Sequence, residues 1–211
     1  LPLSWDLIDW YGGMFLINHN SLDDISVITE NNDHITYAEL YKAIDTFKVE
    51  LQCNSIIFII GKNDYSSLVC YLASLEVGAV PLLLSPGMDD LQISSLIQIY
   101  NPKFIFSKYS AESNSFFGEL IRNVHDYGIF VRHGSVNYRP HKDLALLLTT
   151  SGSTGSPKLV RLSKKNIVSN ASSISEYLNI NHGDRAITSL PFNYSYGLSV
   201  INSHLYSGGV V

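Results

Sequence analysis

The chain has 211 residues, 45% hydrophobic and 16% charged, with a formal net charge of −5. That length holds one large domain or two small ones with a real core, and an acidic balance without a basic stripe argues against a nucleic-acid surface. No apolar run reaches the ~20 residues that a bilayer-spanning helix needs.

The N-terminal stretch Leu1-Pro2-Leu3-Ser4-Trp5-Asp6 lacks the charged-then-apolar layout of a signal peptide. It has no initiator Met, so the expectation is a chain that begins inside a longer one. Val27-Ile28-Thr29 and His34-Ile35-Thr36 read as a short hairpin around Asn31-Asn32-Asp33. Tyr37, Leu40, Tyr41, Ile44, Phe47 and Leu51 then recur at helical spacing, with Thr36 in the capping position. Ser55 to Ile60 is a continuous apolar strand ending at Gly61. Tyr65, Leu68, Val69, Leu72 and Leu75 mark the next helix, with Gly78 as its stop.

Ala79 to Leu84 reads as a second buried strand, broken by Ser85-Pro86-Gly87. Ile93, Leu96, Ile97 and Tyr100 predict a helix ended by Asn101-Pro102. Phe104-Ile105-Phe106 and Ile129-Phe130-Val131 are short strands, separated by an amphipathic segment around Phe116, Phe117, Leu120 and Ile121. The polar stretch Gly134 to Asp143 is the candidate crossing between a first subdomain, residues 1–133, and a second part, residues 144–211. Later come a helix bearing Ile167, Ala171, Ile174 and Leu178, and a strand from Arg185 to Leu190. Continuous apolar strands between amphipathic helices imply an α/β fold with layered parallel sheets covered by helices.

The two cysteines, Cys53 and Cys70, have neither C-x-x-C spacing nor clustered histidines, which excludes a recognisable zinc site. They are expected as small buried hydrophobes in a reducing, cytoplasmic compartment. The seven histidines show no catalytic spacing, G-x-S-x-G is absent, and no metal ligands are assigned.

The chemistry concentrates in one loop. After the apolar run Leu144-Ala145-Leu146-Leu147-Leu148 come Thr149, Thr150, Ser151, Gly152, Ser153, Thr154, Gly155, Ser156, Pro157 and Lys158. Glycines allow close backbone approach to a ligand, and exposed N–H groups in such a loop form an anion-binding concavity. The hydroxyls add donors and Lys158 adds a positive charge, a set suited to a polyphosphate. A flexible Gly/Ser linker fits poorly, because the strand pattern resumes at once in Leu159-Val160-Arg161-Leu162. A Walker-type loop needs G-x-x-x-x-G-K-[ST] leading into a helix. Here Gly152 to Gly155 is too short, and a strand follows.

Thr149 to Lys158 resembles the signature of the adenylate-forming (AMP-binding) enzymes: acyl-CoA synthetases, peptide-synthetase adenylation domains and luciferases. Leu159 departs from it, standing where the family usually has Gly. Ile35-Thr36-Tyr37-Ala38-Glu39-Leu40 and the stretch Tyr71 to Leu82 resemble two further family boxes, to which packing roles fall. Ser163-Lys164-Lys165-Asn166 follows at the family's usual distance and is expected to open the next helix. Leu190-Pro191-Phe192-Asn193-Tyr194-Ser195-Tyr196-Gly197-Leu198 is similar to the segment bordering the acyl pocket of acyl-CoA synthetases.

The resemblance implies an acid–thiol ligase. A carboxylate would attack the α-phosphate of Mg2+-ATP, releasing pyrophosphate. The acyl group would then pass to coenzyme A or to the phosphopantetheine of a carrier protein. Implied phosphate-binding residues are Thr150, Ser151, Gly152, Ser153, Thr154, Gly155 and Lys158, with Lys158 also the catalytic cation. Implied substrate-binding residues are Tyr194, Ser195, Tyr196 and Gly197, with Phe192 open to reading as an ordinary core aromatic. No acidic residue lies between Asp184 and Val211 to hold a substrate amine, which favours a non-amino acid. The chain matches only the first part of the family's large N-terminal domain, so it is expected to be a fragment inactive alone. Two alternatives stay open: a non-catalytic nucleotide-binding module, and an unrelated phosphoryl-transfer enzyme using Asp143 or Asp184 for a metal.

Overall fold

The computed structural model describes residues 16–17, 21–108, 110, 116–134, 139–149 and 158–211. Strands β1 (Ile25–Ile28) and β2 (His34–Thr36) form the expected antiparallel hairpin, with Ile28 opposite His34. Helix α1 (Tyr37–Lys48) starts on a capping box: the Glu39 N–H donates to Thr36 Oγ1 at 3.2 Å, and the Thr36 N–H donates to the Glu39 carboxylate at 2.8 Å. Two otherwise orphaned helix-start donors are satisfied at once.

Seven strands build the main sheet: β3 (Ile56–Ile60), β4 (Val80–Leu84), β5 (Phe104–Lys108), β6 (Glu119–Val124), β7 (Tyr127–Val131), β8 (Leu144–Thr149) and β9 (Leu159–Ser163). Their order is β6-β7-β5-β3-β4-β8-β9. The four central strands, β5, β3, β4 and β8, run parallel. Both flanks are antiparallel, so the expected parallel strands form the centre of a mixed sheet. The physical reason is connection length. A parallel neighbour needs a crossover of a dozen or more residues, whereas a tight turn returns the chain antiparallel. His125, at φ 52°, makes that turn between β6 and β7. Leu120 and Ile121, expected in one amphipathic segment with Phe116 and Phe117, belong to β6, where exposure alternates residue by residue.

Side chains alternate across the sheet, so each central strand feeds two cores. Ile57, Ile59, Leu83, Phe104, Phe106 and Leu148 join one cluster, together with α1, α2 (Tyr65–Val77), α4 (Lys164–Leu178) and α5 (Ser195–Tyr206). Ile56, Phe58, Ile60, Leu82, Ile105 and Leu147 join the other, beneath α3 (Asp90–Tyr100). Burial on both faces explains why these strands read as continuous apolar runs. Gly78 closes α2 at φ 76° and Asn101 closes α3 at φ 43°, the left-handed stops the sequence announces. Ser163 caps α4, with Asn166 completing the box.

Two expectations are corrected. Among the described residues Arg185 to Leu190 does not form a strand; its backbone pairing is a single parallel bridge from Arg185 to Val210. Cys53 is exposed, while Cys70 is buried. Cys53 lies in the turn between α1 and β3, outside either core. Val211 extends the small hairpin: its N–H donates to the Ser26 carbonyl at 3.0 Å and its carbonyl accepts from Ile28 at 2.9 Å, the parallel pattern.

Candidate functional site

Because β5, β3, β4 and β8 are parallel, their carboxyl ends open onto one edge of the sheet. In open α/β sheets that edge is where ligands bind. The hydroxyl- and glycine-rich loop leaves β8 there, after Thr149. Thr150, Ser151, Gly152, Ser153, Thr154 and Gly155 lie outside the described residues. Both anchors of the loop are described. Thr149 pairs with Leu159 across the β8–β9 ladder, so the chain leaves and re-enters the sheet at neighbouring points. Lys158 precedes β9 and is exposed.

The second group of predicted residues surrounds the start of α5. Phe192 is 2% exposed and belongs to the core, so its packing role stands. Tyr194 and Tyr196 are 52% and 67% exposed, and Ser195 is exposed. Tyr194 sits at the N-cap with extended backbone and no side-chain cap bond. Gly197 is buried, and a Cβ there would meet the Pro191 and Leu190 carbonyl oxygens at 2.5 and 2.6 Å. The first turn of α5 is thus pressed onto the two residues that precede the aromatic run.

A third group was not singled out in the sequence. Asn63, in the loop after β3, donates from Nδ2 to the Thr188 carbonyl at 2.7 Å and the Leu190 carbonyl at 2.6 Å. Its Oδ1 accepts from the Phe192 N–H at 2.8 Å. Asp64 caps α2 through Oδ1, accepting from the Ser67 N–H at 2.9 Å. Its other oxygen accepts from the Tyr127 hydroxyl at 2.6 Å. Burial first, and then this bond to Asp64, push the Tyr127 phenol up to about 12. Ser66 Oγ lies 3.1 Å from His125 Nδ1. A cleft of about 880 Å3 opens here, with Lys62, Asn63, His125, Arg185, Thr188 and Phe192 among its walls. The capping role of Asp64 was legible, as an Asp just ahead of a helical pattern. The Asn63 contacts were not, since they join residues more than a hundred positions apart.

Among the described residues no group of three His, Cys, Asp or Glu side chains is placed to hold a metal ion, and no helix is long and apolar enough to cross a membrane.

The fold is an open α/β domain with four parallel strands at the centre of a seven-stranded sheet. The chain belongs to the AMP-binding enzyme family, which it matches over residues 17–211. It is 26% identical over 199 residues to the 2-succinylbenzoate–CoA ligase of Haemophilus influenzae, a match covering 92% of this chain and 41% of that protein. It is 23% identical over 190 residues to the D-alanine–D-alanyl carrier protein ligase of Listeria monocytogenes, covering 84% of this chain and 37% of the ligase. Among solved structures, ATP-bound MatB from Rhodopseudomonas palustris superposes with a TM-score of 0.72 at 22% identity, over 92% of this chain and 42% of that one. The chain therefore spans about two-fifths of the length of these relatives.

Proposed function

We propose that this chain is the N-terminal part of an ATP-dependent ligase that activates a carboxylic acid as its acyl-adenylate and then passes the acyl group to a thiol. The observation that carries this reading is the loop hung between β8 and β9. Its sequence, Thr149 to Lys158, resembles the family's hydroxyl-glycine signature, its flanking residues Thr149 and Leu159 pair across the sheet, and the chain matches the family over residues 17–211.

Adenylation brings two anions together, a carboxylate and the α-phosphate of ATP. The site must neutralise charge and hold the reactants in line. Backbone N–H groups at Gly152 and Gly155, hydroxyls of Thr150, Ser151, Ser153 and Thr154, and the Lys158 ammonium would cradle the β- and γ-phosphates. They would also carry the charge of the departing pyrophosphate. Mg2+ would enter with the triphosphate and share that neutralisation; the described residues offer no carboxylate cage for it.

The acyl group would lie along Tyr194, Ser195, Tyr196 and Gly197. Two exposed phenols and a hydroxyl suit an uncharged or weakly polar acid, and no acidic residue between Asp184 and Val211 would hold an amine. Coenzyme A or a carrier-protein phosphopantetheine would take the acyl group.

The test is acid-dependent exchange of labelled pyrophosphate into ATP by the complete gene product, run against a panel of carboxylic acids. Exchange that requires an acid supports adenylation. ATP binding without exchange points instead to a nucleotide-binding module, and release of ADP in place of pyrophosphate points to phosphoryl transfer.

A further inference from the structure

We propose that Asn63 is a positioning residue for the acyl-binding segment, setting where Tyr194 to Gly197 stand relative to the β3 edge of the sheet. The proposal rests on the adenylating reading above. Its starting point is the side-chain amide of Asn63, which has two N–H donors and one carbonyl acceptor. All three functions go to one short stretch: Thr188 O, Leu190 O and Phe192 N. With two carbonyl acceptors and one N–H donor opposite it, only one orientation of the amide satisfies the set.

The pattern has a recognisable form. Donating to Leu190 and accepting from Phe192 is what one residue of a parallel neighbouring strand would do to the residue between them. That residue is Pro191, which has no N–H of its own. The Asn63 amide thus makes a strand-like pair of hydrogen bonds to the two residues that flank Pro191.

Asn63 is itself held on a firm base. Asp64 caps α2 and accepts from Tyr127, and the Lys62 N–H lies 3.4 Å from the same Tyr127 oxygen. Gly61 packs close to α2, where a Cβ would run into Ser67 Oγ. Downstream, the Leu190 carbonyl that Asn63 holds is one of the two against which Gly197 is pressed. A displacement of Leu190 would carry the start of α5, and with it Tyr194 and Tyr196.

Asn63 is exposed, and hydrogen bonds open to water contribute little net stability. Its loss should therefore move geometry more than folding. A misplacement of ~1 Å at a substrate-positioning element can cost roughly a hundredfold in rate.

The experiment uses the complete gene product and two variants, Asn63→Ala and Asn63→Asp. The second keeps an oxygen for the Phe192 N–H and loses both donors. Pyrophosphate exchange gives KM for the acid and for ATP separately, and calorimetry gives the melting temperature. The expected result in both variants is a kcat/KM for the acid lowered roughly tenfold or more, with the KM for ATP and the melting temperature unchanged. An unchanged kcat/KM for the acid overturns the proposal. So does a joint rise of both KM values with a fall in melting temperature, or loss of cooperative melting in both variants, since either makes Asn63 a stability residue. Absence of acid-dependent exchange in the unmodified protein overturns the adenylating reading, and this proposal with it. Activity in the unmodified protein with unaffected variants overturns this proposal alone.

Discussion

The Tyr37 hydroxyl donates to the Gly209 carbonyl at 2.7 Å, joining the first residue of α1 to the turn before Val210. Both residues are buried. The bond ties the small β1–β2 hairpin, which α1 follows directly, to the chain that returns beside β1. Burial raises the Tyr37 phenol above the ordinary tyrosine range, so the hydroxyl stays protonated and donating at any ordinary pH.

Tyr37→Phe keeps the ring and removes the donor. The Gly209 carbonyl then stays buried without that partner, at a cost of about 1–3 kcal/mol. Urea unfolding should show a lower midpoint with an unchanged slope, the sign of lost stability without a change in surface exposed. An unchanged midpoint would mean that water replaces the hydroxyl.

The Tyr127–Asp64 bond predicts an alkaline limb in stability. The phenol titrates near 10 when unfolded and is pushed up to about 12 in the fold. A raised folded value means that the unfolded chain loses its proton first as pH rises. The contribution is therefore complete below about pH 10 and falls away as pH climbs through 12. Tyr65, also pushed up to about 12, chiefly by burial, acts in the same direction. Tyr127→Phe should flatten part of the decline in unfolding free energy measured between about pH 10 and 12. An equally steep decline in the variant would place the effect on the other buried tyrosines.

Lys158→Ala should weaken ATP binding by about 1.5–3 kcal/mol, the range for a hydrogen bond to a charged group. The side chain is exposed, so the folded state should melt as before. Titration calorimetry on the complete gene product reads the affinity directly. An unchanged affinity and exchange rate would remove Lys158 from the phosphate site.

Much of this fold is local, and local signals were legible. Thr36 with Glu39, Gly78, Asn101 and Ser163 with Asn166 mark helix ends because caps and left-handed stops depend on residues a few positions apart. The apolar strands Ile56–Ile60 and Val80–Leu84 announced burial on both faces. What did not show was pairing. Nothing in Leu120 or Ile121 distinguishes a strand edge from an amphipathic helix over so short a run. Arg185–Leu190 has strand composition, and among the described residues its backbone bridge is the one from Arg185 to Val210. The candidate site divides along the same line: the loop signature is contiguous, whereas the Asn63 contacts depend on tertiary structure bringing distant segments together.

The aromatic segment holds a packed ring and a solvated one within five residues. Phe192 is 2% exposed and Tyr196 is 67% exposed. Phe192→Ala should cost about 3–5 kcal/mol, the range for emptying a buried aromatic site. It should lower the melting temperature whatever the ligand. Tyr196→Ala touches a mostly solvated ring and should change stability by no more than about 0.5 kcal/mol. If Tyr196 faces the acyl group, its loss should reorder the acid panel in pyrophosphate exchange while the KM for ATP holds. The ring's removal takes away contact area from the substrate and not from the fold. A Tyr196→Ala protein with the same acid preferences would take the residue out of the acyl site and leave it as surface.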